Sequence, residues 1–565
     1  MTIKPSHKTH NLFSLYYEKD GFNINGDKLM GRQAAGWSFF RAIVESKRYN
    51  KIGALVKNDD QKKSLLNDVK SLLTIDNEKI DINSIPFMEP YESAPFGGIQ
   101  LPGPDLIEFA NIRSFFGHEK YSLSGITHTT ASHAVMTSIS SILTEPIMPW
   151  DSIICTSKSV LNTVNKILEA RSEFLKIRLK SSPVILPKFP IIPLGINCKD
   201  FEFSSSYKNS SRNELSISEN DIVIAYVGRL SFHAKSHHVP MYLALENLAK
   251  NLEKNQRIHL IQTGWFANDY IENSFKDEAK IICPSVNCIF LDGRKQDLKN
   301  KTLAAADIFM SLSDNIQETF GLTPLEAMAS SIPVIVSDWN GYRSTVRDGK
   351  DGFLIPSYSL GNGFGEDLMF QYTSGYINYD NYIGNIVHKV AIDIKVCIDR
   401  LTDLIKNPEV RYKLGKNGRK RANDFFSWDV ILDQYEDLYS ELDDIRVKEF
   451  NTYKNISSKS LPSDKLDPFY LFNDYPTEII NNEFSFYYTK KINSIEIEEI
   501  LNLSSTKFAF SVPKKADFNK VTKVLKINSF NNINDIIKKT KLDREIVYKV
   551  IIFLLKYGYL SKAEV

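Results

Sequence analysis

Two glutamates, Glu318 and Glu326, stand with seven residues between them in the run Asp307-Ile-Phe-Met-Ser-Leu-Ser-Asp314-Asn-Ile-Gln-Glu318-Thr-Phe320-Gly321-Leu322-Thr323-Pro-Leu-Glu326-Ala-Met-Ala. The apolar start reads as a strand ending near Ser313, followed by a polar loop and a helix beginning at Thr323. Thr323-Pro324-Leu325-Glu326 has the form of a capping box, with Thr as N-cap, Pro at the first helical position and Glu at the third. A Gly321–Leu325 turn of that kind aims free backbone N–H groups, and the positive end of a helix, at one point, which suits an anion and above all a phosphate. Alone, Glu326 is equally a helix cap and Glu318 a solvated loop residue. Their shared context sets them apart.

A second patch is Ala225-Tyr-Val-Gly228-Arg229-Leu-Ser-Phe-His-Ala-Lys235, where a strand ends at Gly228 and two cations follow on the loop. Arg supplies a planar fork and Lys a mobile point charge, the pair that a diphosphate needs. His233, His237 and His238 lack acidic partners at metal-ligand spacing and are read as bystanders, so no metal site is expected.

Taken together, the stretch around Glu318 and Glu326 resembles the E-x7-E signature of the family 4 glycosyltransferases, retaining enzymes of the GT-B fold. The resemblance continues through Pro333-Val-Ile-Val-Ser-Asp338-Trp-Asn-Gly341 and Val346-Arg-Asp-Gly349-Lys-Asp-Gly352-Phe-Leu-Ile-Pro356, and departs from the family at Ser330-Ser331, where a glycine is usual. It implies that Glu318 lies beside the donor sugar and Glu326 holds the nucleotide ribose. Arg229 and Lys235 would grip the donor diphosphate with the Phe320, Gly321, Leu322 and Thr323 segment. Thr263-Gly264 and Asp292-Gly293-Arg294 fall where the family places base and ribose contacts, so Gly264 and Arg294 join the donor-binding set. In the first 200 residues, Gly31 in Lys28-Leu-Met-Gly31-Arg32 matches the family's glycine loop. His128, rather than His133, matches a histidine that touches the reacting sugar. The implied chemistry is metal-independent, cofactor-free transfer from a UDP- or GDP-sugar to a glycan, lipid-linked or protein acceptor, with front-face attack and retained anomeric configuration. The implied setting is glycan or surface polysaccharide synthesis.

The elements that must position these residues alternate between strands and helices. Asn11–Tyr17, Lys51–Val56, Leu123–Thr127, Asp151–Thr156 and Ile191–Leu194 read as buried strands, with helices over Arg32–Ser46, Gln61–Leu73 and Ser157–Ile177. Residues 200–212 are Ser-rich and read as a linker. The alternation restarts with strands at Ile222–Val227, Ile258–Thr263, Asn287–Leu291, Asp307–Leu312, Pro333–Val336 and Gly352–Ile355, ending in helices to about Ser440. The predicted class is α/β, two facing doubly wound Rossmann-like domains: 1–205 for the acceptor and 206–445 for the nucleotide sugar. Residues 446–565 form a linker and a small, mainly helical, winged-helix-like extension, with an irregular stretch at Lys448–Pro476 and helices at Ile533–Lys539 and Asp543–Lys556.

Composition narrows the alternatives. The chain has 565 residues, 70 basic and 68 acidic, for a net charge of +2, which argues against a dedicated nucleic-acid binder. Its last 55 residues hold 12 basic and 5 acidic side chains, so peripheral membrane or protein contact is expected there. Five scattered cysteines suit a reducing cytoplasm, and no apolar stretch is long enough to span a bilayer. The expected location is cytoplasmic, with any membrane contact at the inner face. Two rivals stay open: a non-catalytic sugar-nucleotide sensor, and a GT-B epimerase or phosphorylase, either with a nucleic-acid- or protein-binding C-terminal module.

Overall fold

The computed structural model describes residues 12–22, 31–73, 80–181, 185–252, 256–454, 462, 465–488, 495–526 and 529–562. Asn11 of the first expected strand and Lys28–Met30 of the glycine loop lie outside them. The chain forms two compact units, Met1–Pro462 and Ser463–Val565.

The first unit carries two six-stranded parallel sheets. One is built from β1 (Ser14–Tyr16), β2 (Lys51–Val56), β3 (Asp81–Pro86), β4 (Gly98–Gln100), β5 (Ser122–Ile126) and β6 (Ser152–Ile154), in the order β3-β2-β1-β4-β5-β6. The other holds β7 (Ile222–Val227), β8 (Ile258–Gly264), β9 (Asn287–Asp292), β10 (Ile308–Ser311), β11 (Val334–Ser337) and β12 (Gly352–Ile355), in the order β12-β11-β10-β7-β8-β9. Read from β9, the second order repeats the first: each sheet starts in its middle, runs to one edge and returns to the other side. Both are doubly wound, as the GT-B resemblance implies. Strands of the second sheet such as β7 and β11 are β-branched, nearly unbroken apolar runs, as burial of both faces requires. In β7 every residue is buried.

Three differences from the expected elements have physical causes. The stretch 200–212 is no linker: Ser205–Glu214 is a helix, capped by the Ser204 side chain on the Tyr207 N–H. Arg212 on it is buried, reaching the Asp307 carboxylate (2.9 Å) and the Asp221 carbonyl (2.7 Å). Its polar residues serve the amino ends of the central strands β10 and β7. Ile191–Leu194 makes only an isolated bridge to Cys155, because Pro187, Pro190 and Pro193 remove a backbone donor at every third position. Strands β3 and β4 and the helix Ile107–Ser114 were not anticipated.

The long helix Trp428–Glu449, which follows the second sheet in sequence, packs on the first. Tyr439 stacks on Phe13 (centroids 3.9 Å apart), its hydroxyl donates to Gln100 (2.9 Å), and Trp428 Nε1 donates to Ser38 Oγ (2.7 Å). One continuous apolar core therefore runs from Phe13 and Phe40 of the first sheet through Trp428 and Tyr435 to Phe426, Phe320 and Val334 of the second.

The second unit has an antiparallel three-stranded sheet, β15 (Ser485–Tyr487) flanked by β16 (Phe530–Asn532) and β17 (Ser561–Lys562), with helices Lys515–Val524, Ile533–Thr540 and Arg544–Lys556 around Phe486, Phe518 and Leu554. This is the winged-helix-like pattern with a sheet added to its helices. Within the expected irregular stretch, Pro468–Leu471 is a short helix.

Candidate active site

In each sheet the strand order reverses between two central strands, β1 and β4 in the first and β7 and β10 in the second. Ligands of doubly wound sheets bind outside the carboxyl ends of strands at such a reversal, because the loops there diverge to opposite faces and leave a crevice. Arg229 and Lys235 follow β7, and Glu318 follows β10. The topology alone brings them together.

Lys235 Nζ forms an ion pair with Glu318 Oε2, their side chains 21% and 8% exposed. The Tyr342 hydroxyl donates to the same carboxylate oxygen (3.5 Å), and the Phe320 N–H to Oε1 (3.4 Å). Burial first, and then the Glu318 charge, raise the Tyr342 hydroxyl well above its ordinary pKa. Arg229 Nη2 donates to the Ala234 carbonyl (3.0 Å), and Tyr226 donates to the Arg229 carbonyl (3.2 Å). Burial lowers the Arg229 pKa, and the Asp380 carboxylate opposes that shift. Asp314, buried in the same loop as Glu318, has its carboxyl pushed up to about 7 by burial, against the His237 N–H that donates to it (3.1 Å).

The expected capping box does not form. The helix runs Leu322–Ala329 with Gly321 as N-cap, and Thr323 Oγ1 has no hydrogen-bond partner among the described residues. Gly321 sits at φ 89°, with the Tyr342 ring 2.1 Å from where a Cβ would be, so only glycine fits, and its backbone rather than a side chain sets the helix start. Glu326 turns away from that start: Lys299 holds Oε1 (2.6 Å), while Oε2 is buried without a partner among the described residues. Phe320 puts its ring into the core against Phe426, leaving only its backbone in the site.

Gly264 is a packing residue. A Cβ there would lie 2.0 Å from the Gly228 carbonyl, so the ends of β7 and β8 can close only on glycine. Arg294 is exposed and forks onto its own neighbour Asp292 (2.9 Å). His233, His237 and His238 assemble no metal-ligating group among the described residues.

In the first sheet, Gly31 opens the helix Gly31–Glu45, is exposed, and leaves open space where a Cβ would stand. His128 Nε2 bonds to the Pro102 carbonyl (2.9 Å), and burial lowers its pKa to about 4, so the ring is neutral near pH 7. Thr319, next to Glu318, donates to the His128 carbonyl, which joins the two reversal points. A cavity of about 260 Å³ lies at the first reversal, lined by Glu18, Asp20, Arg32, Asp105, Glu108 and His128 over an aromatic floor that includes Phe39 and Trp428. It does not reach Glu318, Lys235 or Arg229. Apart from His128, these lining residues were missed in the sequence, although several directly follow β1 and β4.

Residues 208–362 match the family model described as glycosyl transferases group 1. The D-inositol 3-phosphate glycosyltransferase of Corynebacterium efficiens is 26% identical over 231 residues, 41% of this chain and 45% of that protein. The UDP-Gal:alpha-D-GlcNAc-diphosphoundecaprenol alpha-1,3-galactosyltransferase of Escherichia coli is 27% identical over 195 residues, 34% of this chain and 47% of that one. Among solved structures, Anabaena HepE in complex with UDP-glucose is similar over 76% of this chain and 99% of that chain, at 16% identity and a TM-score of 0.46. The chain spans about half the length of the curated relatives it matches. No helix among the described residues is long and apolar enough to cross a membrane.

Proposed function

We propose that this protein is a retaining, family 4-type glycosyltransferase that moves a sugar from a UDP- or GDP-sugar to an acceptor hydroxyl in glycan or surface polysaccharide synthesis. The observation that carries the proposal is the meeting of Glu318, Lys235 and Arg229 at the β7–β10 reversal, inside the stretch similar to glycosyl transferases group 1.

Lys235 and Glu318 neutralise each other in their ion pair. An entering diphosphate competes for Lys235, and with Arg229 it receives two cations at once. That frees the Glu318 carboxylate to face the sugar and the positive charge growing at its anomeric carbon. The Leu322–Ala329 helix start adds backbone N–H groups to the leaving diphosphate. Positive charge from these groups stabilises the departing anion without a metal ion or a cofactor. Buried Glu326 Oε2, which has no partner among the described residues, suits a ribose hydroxyl donor. The acceptor would enter by the first-sheet cavity, where neutral His128 lies beside the loop carrying Glu318. The leaving diphosphate itself would take up the acceptor proton.

A panel of UDP- and GDP-sugars, scored for nucleoside diphosphate release with and without sugar acceptors, tests this. Release from one donor that persists in EDTA and falls by about 10²–10³ in Glu318→Gln supports it. Undiminished release in that variant overturns it. Nucleotide binding without any release would favour the sensor, and conversion of the donor sugar without transfer would favour the epimerase.

A further inference from the structure

Between β12 and the helix Ile394–Lys406 lies a segment to which the sequence motifs assign nothing, almost all of it beyond the family match, which ends at residue 362. It contains β13 (Ser357–Ser359), the helices Glu366–Thr373 and Tyr379–Val387, and β14 (Val390–Ile392), with the two strands pairing antiparallel. It touches loops of both sheets.

From the first sheet, the His133 ring stacks on Tyr372 (centroids 3.6 Å apart), and Tyr372 stacks in turn on Tyr382 (4.5 Å). Ala131 of the same first-sheet loop shares a small apolar cluster with Ile383 and with Ala234 of the second. On the second-sheet side, Tyr379 donates its hydroxyl to Gln317 Oε1 (2.9 Å), and Gln317 Nε2 donates to the Ala234 carbonyl (3.1 Å). That carbonyl also accepts from Arg229 Nη2 (3.0 Å). Gly384 seats the helix on the same loop, since a Cβ there would lie 3.0 Å from the His233 Cβ.

A three-link hydrogen-bond relay thus runs from the segment to the half-buried Arg229 guanidinium. Each link fixes the next. The Tyr379 hydroxyl holds the Gln317 amide with its NH₂ towards Ala234, and the Ala234 carbonyl, shared by two donors, holds one arm of the Arg229 fork. A planar fork binds a diphosphate tightly only when its orientation is set beforehand.

We propose that residues 357–393 are an interdomain clasp: Tyr379, through Gln317, positions Arg229 for the donor diphosphate, and Tyr372 ties the same clasp to His133 of the opposite sheet. Tyr379 and Gln317 are positioning residues, and their role rests on reading Arg229 as a diphosphate-binding cation.

Calorimetric titration of UDP and GDP into the full chain, in a double-mutant cycle of Tyr379→Phe and Arg229→Ala, tests it. Tyr379→Phe should weaken nucleoside diphosphate binding about three- to tenfold, as for one lost hydrogen bond, and raise the donor KM with kcat within about twofold. In the Arg229→Ala background the same change should have no further effect, because the relay then ends on nothing. An undiminished Tyr379→Phe effect in that background, or no effect in the wild type while Arg229→Ala still weakens binding, overturns the clasp and leaves the glycosyltransferase reading standing. Unchanged binding in Arg229→Ala itself overturns the donor-site reading beneath it.

Discussion

In the first sheet the Arg113–Asp151 pair is shut away completely, both side chains 0% exposed; in the second, Lys235–Glu318 sits at the strand ends with the lysine 21% exposed. The surroundings differ as much as the exposure. Asp151 takes both guanidinium arms (2.7 Å each) and the N–H groups of Leu123 and Met148 (2.8 Å each), while Arg113 also reaches the Tyr121 carbonyl (2.8 Å). Both carboxylate oxygens are saturated by protein, so nothing is left to offer a ligand. Glu318 is held by one lysine, one long tyrosine contact and one long amide contact, which an incoming anion can break. With the same strand order, one sheet uses its ion pair to pin strands and the other keeps its pair exchangeable.

The largest effect should come from breaking the enclosed pair. Asp151→Ala leaves a guanidinium charged and unpaired in the interior and should cost about 3–5 kcal/mol, read as a large fall in Tm. Glu318→Gln, the change expected to lower donor turnover, should cost under about 1 kcal/mol, because a partly exposed pair adds little to stability. Equal losses in the two variants would erase the distinction between a pinned and an exchangeable pair.

That distinction also marks how far the sequence could be read. Most strands were legible because doubly wound sheets demand apolar β-branched runs, and β2, β7 and β12 match their expected bounds. Strand β3, DINSIP, was not, since its half-polar pattern follows its place at the sheet edge. In the candidate site, the convergence of Lys235 on Glu318, with Arg229 on the same loop as Lys235, was legible where residue chemistry and spacing coincide. The site was illegible where long-range packing decides: nothing local says that Thr323 loses its cap role to Gly321, that the Phe320 ring turns inward, or that Glu326 pairs with Lys299. The clasp was invisible for the same reason, since Tyr379 and Gln317 meet across 62 residues.

A pH scan extends the comparison, with a smaller effect. Burial lowers His128 and His237 to about 4 and His118 to about 3, so each sheet holds imidazoles that stay neutral when folded. Unfolded, they take up protons near their ordinary value of about 6.5. Their contribution is therefore complete above about pH 6.5 and is lost as pH falls towards 4. Tm should decline across that window. A flat Tm from pH 7 to 4.5 would show that these rings are not buried neutral.

Asp314 pulls the other way, and only in the second sheet. Its folded pKa, raised to about 7, lies above the ordinary aspartate value, so its contribution is complete below about pH 3.8 and is lost as pH rises through 7. Near pH 8 the fold carries a buried carboxylate whose partners are its own backbone N–H and the His237 N–H at 3.1 Å. Asparagine keeps an acceptor for that N–H and has no charge to bury. Asp314→Asn should therefore match the wild type near pH 4 and become more stable than it by pH 8, with the gain appearing between pH 4 and 7. A variant that is less stable at pH 8 would mean that the two backbone amides stabilise the carboxylate by more than its burial costs. The loop beside Glu318 would then resemble the pinned Asp151 rather than the exchangeable pair proposed to bind the donor.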